Sequence, residues 1–352
     1  MNNLHLILTV DYELFGNGSG RVCECILDPA DRMIAIAEQF GIPLTFFVEP
    51  LEIMALESEK KYADTVDKVI NQIRSAVKNG HDTQLHLHPQ WKNASLSKEG
   101  DWIVDMSRWR IGNCSAVEIR EYIAEGKKWI ESVCSHVVPD YQCLAFRAGG
   151  WCIQPSQAVL SALIGLGFKI DSTVAPGIYN LSKGEWFNFR QAPYLPYWAV
   201  LDDVCRKSGS SLLEVPIATG KISIADHFLS LTEGIGKRDS GMAPGCTGSY
   251  SGPSGRTGRL MGKISKICNL GNLMLDFCTL PSHILIKLTK QWIEQFNSPN
   301  NTIPVVAIGH TKNFSKTSET ALIEYLLWAR NEGIVFSTFP RWLEVNEKSS
   351  GI

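Results

Sequence analysis

Short apolar segments alternate with amphipathic helical segments along most of this 352-residue chain. The apolar segments have the length and composition of buried strands, and the segments between them repeat apolar residues at helical spacing. Such alternation is typical of a parallel sheet with helices packed outside it. Polar side chains follow the strands repeatedly, at positions 11–13, 86–88, 147, 171 and 310. The carboxyl ends of strands meet at one mouth in a closed barrel, whereas an open sheet would separate its first and last strands, so we expect a barrel.

The segment from Gly80 to Pro89 contains three of the eight histidines. It follows a helical segment and predicts a strand in which His86 and His88 share one face, because residues two apart in a strand point the same way. Pro89 ends this strand, since proline cannot donate a ladder hydrogen bond. Two imidazoles at adjacent positions on one face can bind the same metal ion.

A second polar pair, Asp11 and Glu13, ends the apolar segment 6–10 near the N-terminus. These carboxylates are again two residues apart and therefore share a face. Two histidines plus a carboxylate form a common open metal site, which leaves coordination positions for water and substrate. The alternative is that both pairs are simply solvated strand ends.

The composition excludes several classes of protein. The net charge is −2, so no basic field predicts binding to nucleic acid or to an anionic membrane. The ten cysteines form no CxxC pair, which argues against a structural zinc knuckle. Met1 leads into the first strand without a signal-peptide pattern, and no apolar run reaches the length of a membrane span. We expect a reduced, cytoplasmic protein with no transmembrane segment.

One region departs from the alternation. Residues 236–262 are rich in Gly, Ser and Pro and have no apolar periodicity, which predicts a long flexible insertion. Strand and helix patterns resume after it, so we expect a single domain over 1–345 with the insertion inside it. The insertion is either a passive loop or a lid or polyanion-binding loop that uses Arg256 and Arg259.

Five segments of the chain together resemble the motifs of a known family. They are Thr9–Glu13, Gly80–His88, Arg147–Trp151, Asp171 and Ile308–His310. In this order they are similar to the five motifs of the polysaccharide deacetylases of carbohydrate esterase family 4, also called the NodB-homology fold. More narrowly, the chain resembles the deacetylase-like proteins of lipopolysaccharide and O-antigen biosynthesis. The resemblance covers most of the chain apart from the insertion and implies an α/β fold, a distorted (β/α)7-type barrel.

The resemblance also implies roles for individual residues. It implies one divalent metal ion. Zinc is the expected ion, and cobalt, nickel or iron would suit the same donors. The implied metal ligands are Glu13, His86 and His88. The implied catalytic residues are the base Asp11, the general acid His310, the arginine that holds the base, Arg147, and the support for the acid, Asp171.

Two departures from the family pattern leave alternatives open. The family spaces the ligands of its second motif four residues apart, which would pair His86 with Gln90. His88 is the better donor, so we expect His86 and His88 to bind the metal. Tyr12 separates two carboxylates that are adjacent in the usual first motif, a spacing that resembles the DxD/DxE branch of the family. We therefore assign Asp11 as the base and Glu13 as the ligand, and the reverse assignment is the alternative. His310 as a third metal ligand is a further alternative.

The resemblance implies a metal-dependent carbohydrate N-deacylase, an amide hydrolase that removes an acetyl or formyl group. The implied partner is an N-acylated amino sugar, linked to a nucleotide or a lipid, in the synthesis of bacterial surface polysaccharide. Two other classes stay open. One is a metal-free glycoside hydrolase that uses Asp11 and Glu13, which would leave the histidines unexplained. The other is a glycan-binding protein that keeps the fold without turnover.

Overall fold

The computed structural model describes residues 4–207, 209, 212–223, 226, 272–296 and 302–350. The predicted insertion at 236–262 lies outside the described residues. The strands are β1 (Leu4–Tyr12), β2 (Thr45–Val48), β3 (Asp82–Leu87), β4 (Ser95–Leu96), β5 (Trp102–Ile103), β6 (Ala145–Ala148), β7 (Ile170–Asp171), β8 (Tyr179–Leu181), β9 (Trp186–Asn188), β10 (Tyr197–Val200), β11 (Asp203–Lys207), β12 (Leu213–Glu214), β13 (Thr219–Lys221), β14 (Asn272–Met274), β15 (Ile303–His310) and β16 (Val335–Phe336).

The helices fall between the strands, as the alternation predicts. They are α1 (Asp28–Phe40), α2 (Pro50–Glu57), α3 (Ala63–Lys78), α4 (Ala116–Cys134), α5 (Gln157–Gly165), α6 (Ser282–Phe296), α7 (Lys316–Asn331) and α8 (Phe339–Ser350). Within the described ranges, no helix is long and apolar enough to cross a membrane.

Local sequence signals determine where the elements around the site begin and end. A capping box begins α4, since the Ser115 side chain accepts the Glu118 N–H and the Glu118 side chain accepts the Ser115 backbone N–H. Gly80 has a φ of 90°, a left-handed conformation that glycine adopts without strain. The chain can therefore turn sharply after α3 and enter β3, the histidine-bearing strand.

The main sheet has ten strands and is mixed. Its order is β11–β10–β12–β7–β6–β3–β2–β1–β15, with β16 also pairing with β1. The pairs from β12 through β7, β6, β3, β2 and β1 to β15 are all parallel, whereas β10 is antiparallel to both of its neighbours. Both β1 and β15 are buried along their full length, which suits parallel strands covered on both faces.

The sheet curls into a half-barrel, and two isolated bridges add further chain segments to β15. Ile217, just after β12, bridges in parallel to Val306 of β15, and Asp276 bridges in the same way to Ile308. The curvature confirms the prediction of an α/β fold with a distorted barrel. It also places the carboxyl ends of β1, β3, β6 and β15 around one cavity.

Candidate metal centre

All the predicted site residues except Asp171 come together at the carboxyl ends of the strands. The registers explain why: Asp11 lies beside His310 across the β1–β15 pair, and His86 lies beside Arg147 across the β3–β6 pair. All six are buried or nearly so, with exposed fractions from 0% for Arg147 to 9% for His310. Burying charged groups is unfavourable unless they are paired, so these side chains must bind one another or a ligand.

Glu13, His86 and His88 form the first cluster. Glu13 Oε2 lies 3.4 Å from His86 Nε2 and 2.7 Å from His88 Nε2. Both Nε2 atoms are buried and aim at this oxygen, but neither makes a hydrogen bond of good geometry. Ligand atoms at tetrahedral positions about 2.1 Å from a zinc ion are about 3.4 Å apart. The residues present therefore fit a divalent ion without large movement.

The other ring nitrogens of the two histidines are held in place. His86 Nδ1 lies 3.1 Å from the Arg147 carbonyl oxygen, an acceptor that fixes the proton on Nδ1 and leaves Nε2 free to bind a metal. His88 Nδ1 lies 2.9 Å from the Gln90 side-chain amide. Gln90 therefore contacts the imidazole of His88 rather than Glu13, so the geometry favours the pairing of His86 with His88 over the family spacing.

The carboxylate of Glu13 is shared with a cation that the sequence reading did not single out. Lys312 Nζ lies 2.6 Å from Glu13 Oε1 and also donates to the Leu14 carbonyl oxygen at 3.0 Å. Burial by itself raises the pKa of Glu13, but Lys312 and the two histidines outweigh burial and hold that pKa well below its usual range. Glu13 is thus ionised, with one oxygen on Lys312 and the other facing the histidines.

Asp11 is the second buried carboxylate. Arg147 Nη1 donates to Asp11 Oδ1 at 2.6 Å, while Arg147 Nε donates to the Ser172 carbonyl oxygen at 2.9 Å. Burial opposes ionisation of Asp11, but Arg147, followed by His86 and His310, lowers its pKa below the usual value. Asp11 is therefore a carboxylate at neutral pH and can accept a proton.

His310 faces Asp11 from the last long strand. Its Nε2 lies 3.4 Å from Asp11 Oδ2, and its Nδ1 is buried without a hydrogen-bond partner. Asp11, Glu13 and His310 also form a second group whose ligand atoms all lie within 4.8 Å of one another, so the arrangement keeps a third-ligand role for His310 open. Gly309 allows the close packing here, because a Cβ at this position would lie 2.4 Å from the ring of Phe277.

Asp171 ends β7, next to the strand that carries Arg147, and is not paired with His310. It is fully buried and accepts a hydrogen bond from Thr173 Oγ1 at 2.6 Å, and no hydrogen bond or ion pair joins it to His310. Burial raises the pKa of Asp171 to about 6, and burial together with the neighbouring Asp171 raises the pKa of Glu214 as well. The structure therefore pairs Asp171 with a second carboxyl group instead of with the histidine that the family motif implies.

A cavity of about 200 Å³ opens onto these groups. Trp109 and Trp151 form part of its wall, and the ring centroid of Trp151 lies 6.1 Å from that of His310. Gly149, from the predicted third motif, is required here, since a Cβ would lie 2.5 Å from the imidazole of His88. The cavity gives a small polar molecule access to Asp11, Glu13 and His310.

Three charged residues of the cavity, Glu185, Asp276 and Lys312, were missed at the level of sequence, although the rule that polar residues follow apolar strands would have found the last two. Asp276 ends the apolar segment 273–275 and lies in the cavity, where His310 partly offsets the effect of burial in raising the pKa of Asp276. Lys312 follows His310 by two residues, the spacing that singled out the other polar pairs.

Comparison with known proteins finds the fold rather than a close relative. No family model matches the chain, and no curated protein matches it. A candidate polysaccharide deacetylase from Mycobacterium smegmatis has a similar structure, with a TM-score of 0.52 and 14% identity over 99% of this chain and 91% of that one. A candidate polysaccharide deacetylase from Pseudomonas aeruginosa PAO1 has a TM-score of 0.49 and 11% identity, over 99% of this chain and 92% of that one. The Puue allantoinase has a TM-score of 0.48 and 12% identity, over 99% of this chain and 91% of that one.

The chain thus combines the fold of a polysaccharide deacetylase with a buried cluster of His, Asp and Glu that can bind a metal. At 14% identity the likeness to the M. smegmatis protein concerns the fold alone. The narrower resemblance to proteins of lipopolysaccharide biosynthesis, and the roles of the individual residues, stay predictions.

Proposed function

We propose that this protein is a metal-dependent hydrolase that removes an N-acyl group, acetyl or formyl, from an amino sugar. The observation that carries the proposal is the convergence of His86 Nε2 and His88 Nε2 on Glu13 Oε2, beside an ionised Asp11. A divalent ion held by these three ligands would act as a Lewis acid that lowers the pKa of water and polarises the acyl oxygen.

The remaining residues supply the proton transfers that amide hydrolysis needs. Asp11, ionised by Arg147, takes a proton from the attacking water as its oxygen bonds to the acyl carbon. His310 gives a proton to the sugar nitrogen as the C–N bond breaks, so that a neutral amine departs. Asp276 also lines the cavity, and its bridge to Ile308 places it close to His310, so we propose Asp276, rather than Asp171, as the carboxylate that stabilises protonated His310.

The substrate class rests on the resemblance of the motifs. It favours an N-acylated amino sugar on a nucleotide or lipid carrier, in the cytoplasmic steps of lipopolysaccharide or O-antigen synthesis. Zinc is the expected metal because two imidazoles and a carboxylate suit it, and cobalt, nickel or iron suit the same donors.

The metal-free glycoside hydrolase is less well supported. Such an enzyme needs one carboxyl group with a raised pKa as its acid and one ionised carboxylate. Asp11 and Glu13 both have lowered pKa values, because Arg147 pairs with Asp11 and Lys312 pairs with Glu13, so neither holds a proton at neutral pH.

The test is a screen of nucleotide-linked and lipid-linked N-acyl sugars for released acetate or formate. We expect release that depends on added Zn²⁺ or Co²⁺, stops with a chelator, and is absent in Asp11→Asn. Release of a reducing sugar that a chelator does not affect would favour the glycoside hydrolase. Tight glycan binding with no release under any metal would favour the non-catalytic alternative.

A further inference from the structure

The strand between the two ligand-bearing strands carries no ligand itself. β2 lies between β1, which leads to Glu13, and β3, which leads to His88. At its end the chain turns directly into α2, with Glu49 as the N-cap and Glu52 in the first turn. The start of α2 therefore lies between the two halves of the metal centre, which are Glu13 after β1 and the two histidines of the β3 segment.

Each of these two glutamates binds the backbone of one half. Glu49 Oε2 accepts the backbone N–H of His88, and Glu49 Oε1 accepts that of Leu51 at 2.9 Å. Glu52 Oε2 accepts the backbone N–H of Leu14, the residue after Glu13, at 2.9 Å. One carboxyl group thus holds the end of β3, and the other holds the end of β1.

Both side chains are buried, with exposed fractions of 0% for Glu49 and 1% for Glu52. Burying a carboxyl group is unfavourable unless its oxygens are hydrogen bonded. A second buried carboxyl group three residues after the first therefore costs free energy that capping the helix does not explain. A helix N-cap needs only one such acceptor. The second acceptor reaches across to β1, which helix capping does not require.

We propose that Glu49 and Glu52 are positioning residues that set the separation of Glu13 from His86 and His88. The proposal rests on the metal centre of the proposed function and extends it beyond the ligands. Ligands must be held within about 0.5 Å of their productive geometry, and the loss of a group that orients them typically lowers metal affinity by about 10–100-fold.

Matched substitutions separate the hydrogen bonds from the charge. Glu52 uses one oxygen, so Glu52→Gln keeps the bond to Leu14 and should bind Zn²⁺ as the unchanged protein does, whereas Glu52→Met should bind it about 10–100-fold more weakly. Burial raises the pKa of Glu52 to about 8, so glutamine also matches its charge at pH 7. Glu49 uses both oxygens, so Glu49→Gln should fall between the unchanged protein and Glu49→Met.

The measurements are Zn²⁺ affinity by competition with a chromophoric chelator and the visible absorption of the Co²⁺-loaded protein, which reports ligand geometry. Asp82→Asn is the control, because Asp82 is a buried carboxyl group at the opposite end of β3 that accepts from Tyr141 at 2.6 Å. It should lower the melting temperature without changing Zn²⁺ affinity or the Co²⁺ spectrum.

The outcomes distinguish this proposal from the proposed function. If the unchanged protein binds Zn²⁺ and the methionine variants bind it equally well, the positioning role is refuted and the metal site stands. The role is also refuted if Asp82→Asn weakens binding as much as Glu52→Met does, since general loosening would then explain both. If the unchanged protein binds neither Zn²⁺ nor Co²⁺, the proposed function fails and the positioning role fails with it.

Discussion

Replacing Arg147 with methionine should destabilise the protein strongly. The substitution keeps much of the side-chain volume but removes a guanidinium that is fully buried and lies 2.6 Å from Asp11 Oδ1. It also leaves the Ser172 carbonyl oxygen without its donor and removes the guanidinium packed 4.1 Å from the ring centroid of Phe47. Asp11, which is 2% exposed, would remain as a buried carboxylate with no arginine or lysine beside it, only the imidazoles of His310 and His86.

Removing one partner of a buried ion pair typically costs about 3–5 kcal/mol. Much of this cost belongs to the carboxylate left behind, so Arg147→Met combined with Asp11→Asn should recover on the order of 2 kcal/mol of the loss. The loss should also shrink in acid. In the unchanged protein the lowered pKa of Asp11 stabilises the fold above the unfolded pKa of about 3.8, and this stabilisation disappears as pH falls through the folded pKa. Without Arg147, burial raises the pKa of Asp11. In the variant Asp11 is therefore protonated at a higher pH than in the unchanged protein, and the cost of its buried charge disappears there.

Urea unfolding of the metal-free protein, followed by tryptophan fluorescence at pH 7 and pH 4, measures both effects. The control is Arg21→Met, since Arg21 pairs with Glu24 on the surface with side-chain exposures of 81% and 32%, and such pairs contribute about 0–1 kcal/mol. A loss below about 1 kcal/mol for Arg147→Met, or a double variant no more stable than the single one, would refute the account of Asp11 as a carboxylate held ionised by Arg147.

Three further predictions concern the metal ligands, the acid and the buried carboxyl pair. His88→Ala should abolish stoichiometric metal binding, measured by elemental analysis, whereas Gln90→Ala should weaken metal binding only about 10–100-fold. If Gln90→Ala abolished binding and His88→Ala did not, Gln90 would be the ligand, as the family spacing implies. His310→Gln should keep the metal while kcat falls by about 10²–10⁴-fold, and loss of metal would make His310 a ligand instead. Asp171 has a folded pKa raised to about 6, so its stabilising effect is complete below about pH 4 and lost as pH rises through 6. Asp171→Asn should flatten the melting temperature over that interval, and an unchanged pH profile would contradict the raised pKa.

The sequence was most informative where a local rule determines geometry. The period of two in strands is enough to bring His86 and His88 to one face and Asp11 and Glu13 to another. The accumulation of polar residues at strand ends was enough to favour a curled sheet. Both inferences need only neighbouring residues, so they do not depend on knowing how distant segments pack.

The sequence was least informative where partners come from distant segments. Lys312 reaches Glu13 across 299 residues, and nothing local to either residue predicts the contact. The pairing of Asp171 with Glu214 depends on β7 lying beside β12, a topology that a linear pattern leaves open. The hydrogen bonds that Glu49 and Glu52 accept from His88 and Leu14 likewise depend on the order of β1, β2 and β3 in the sheet. Tertiary packing, not propensity, decided these contacts.

The position of β1 has a consequence for how the chain is synthesised. One edge of β1 is covered by β2, which follows within about 40 residues, but its other edge waits for β15, which begins at residue 303. At about 5–20 residues per second, the ribosome takes on the order of 15–60 seconds to reach that point. All nine residues of β1 are buried in the finished fold, so the nascent chain carries an unpaired apolar edge throughout this interval, a known template for aggregation. Glu13, His86 and His88 emerge early in the same interval, so an ion could reach all three ligands well before His310 exists.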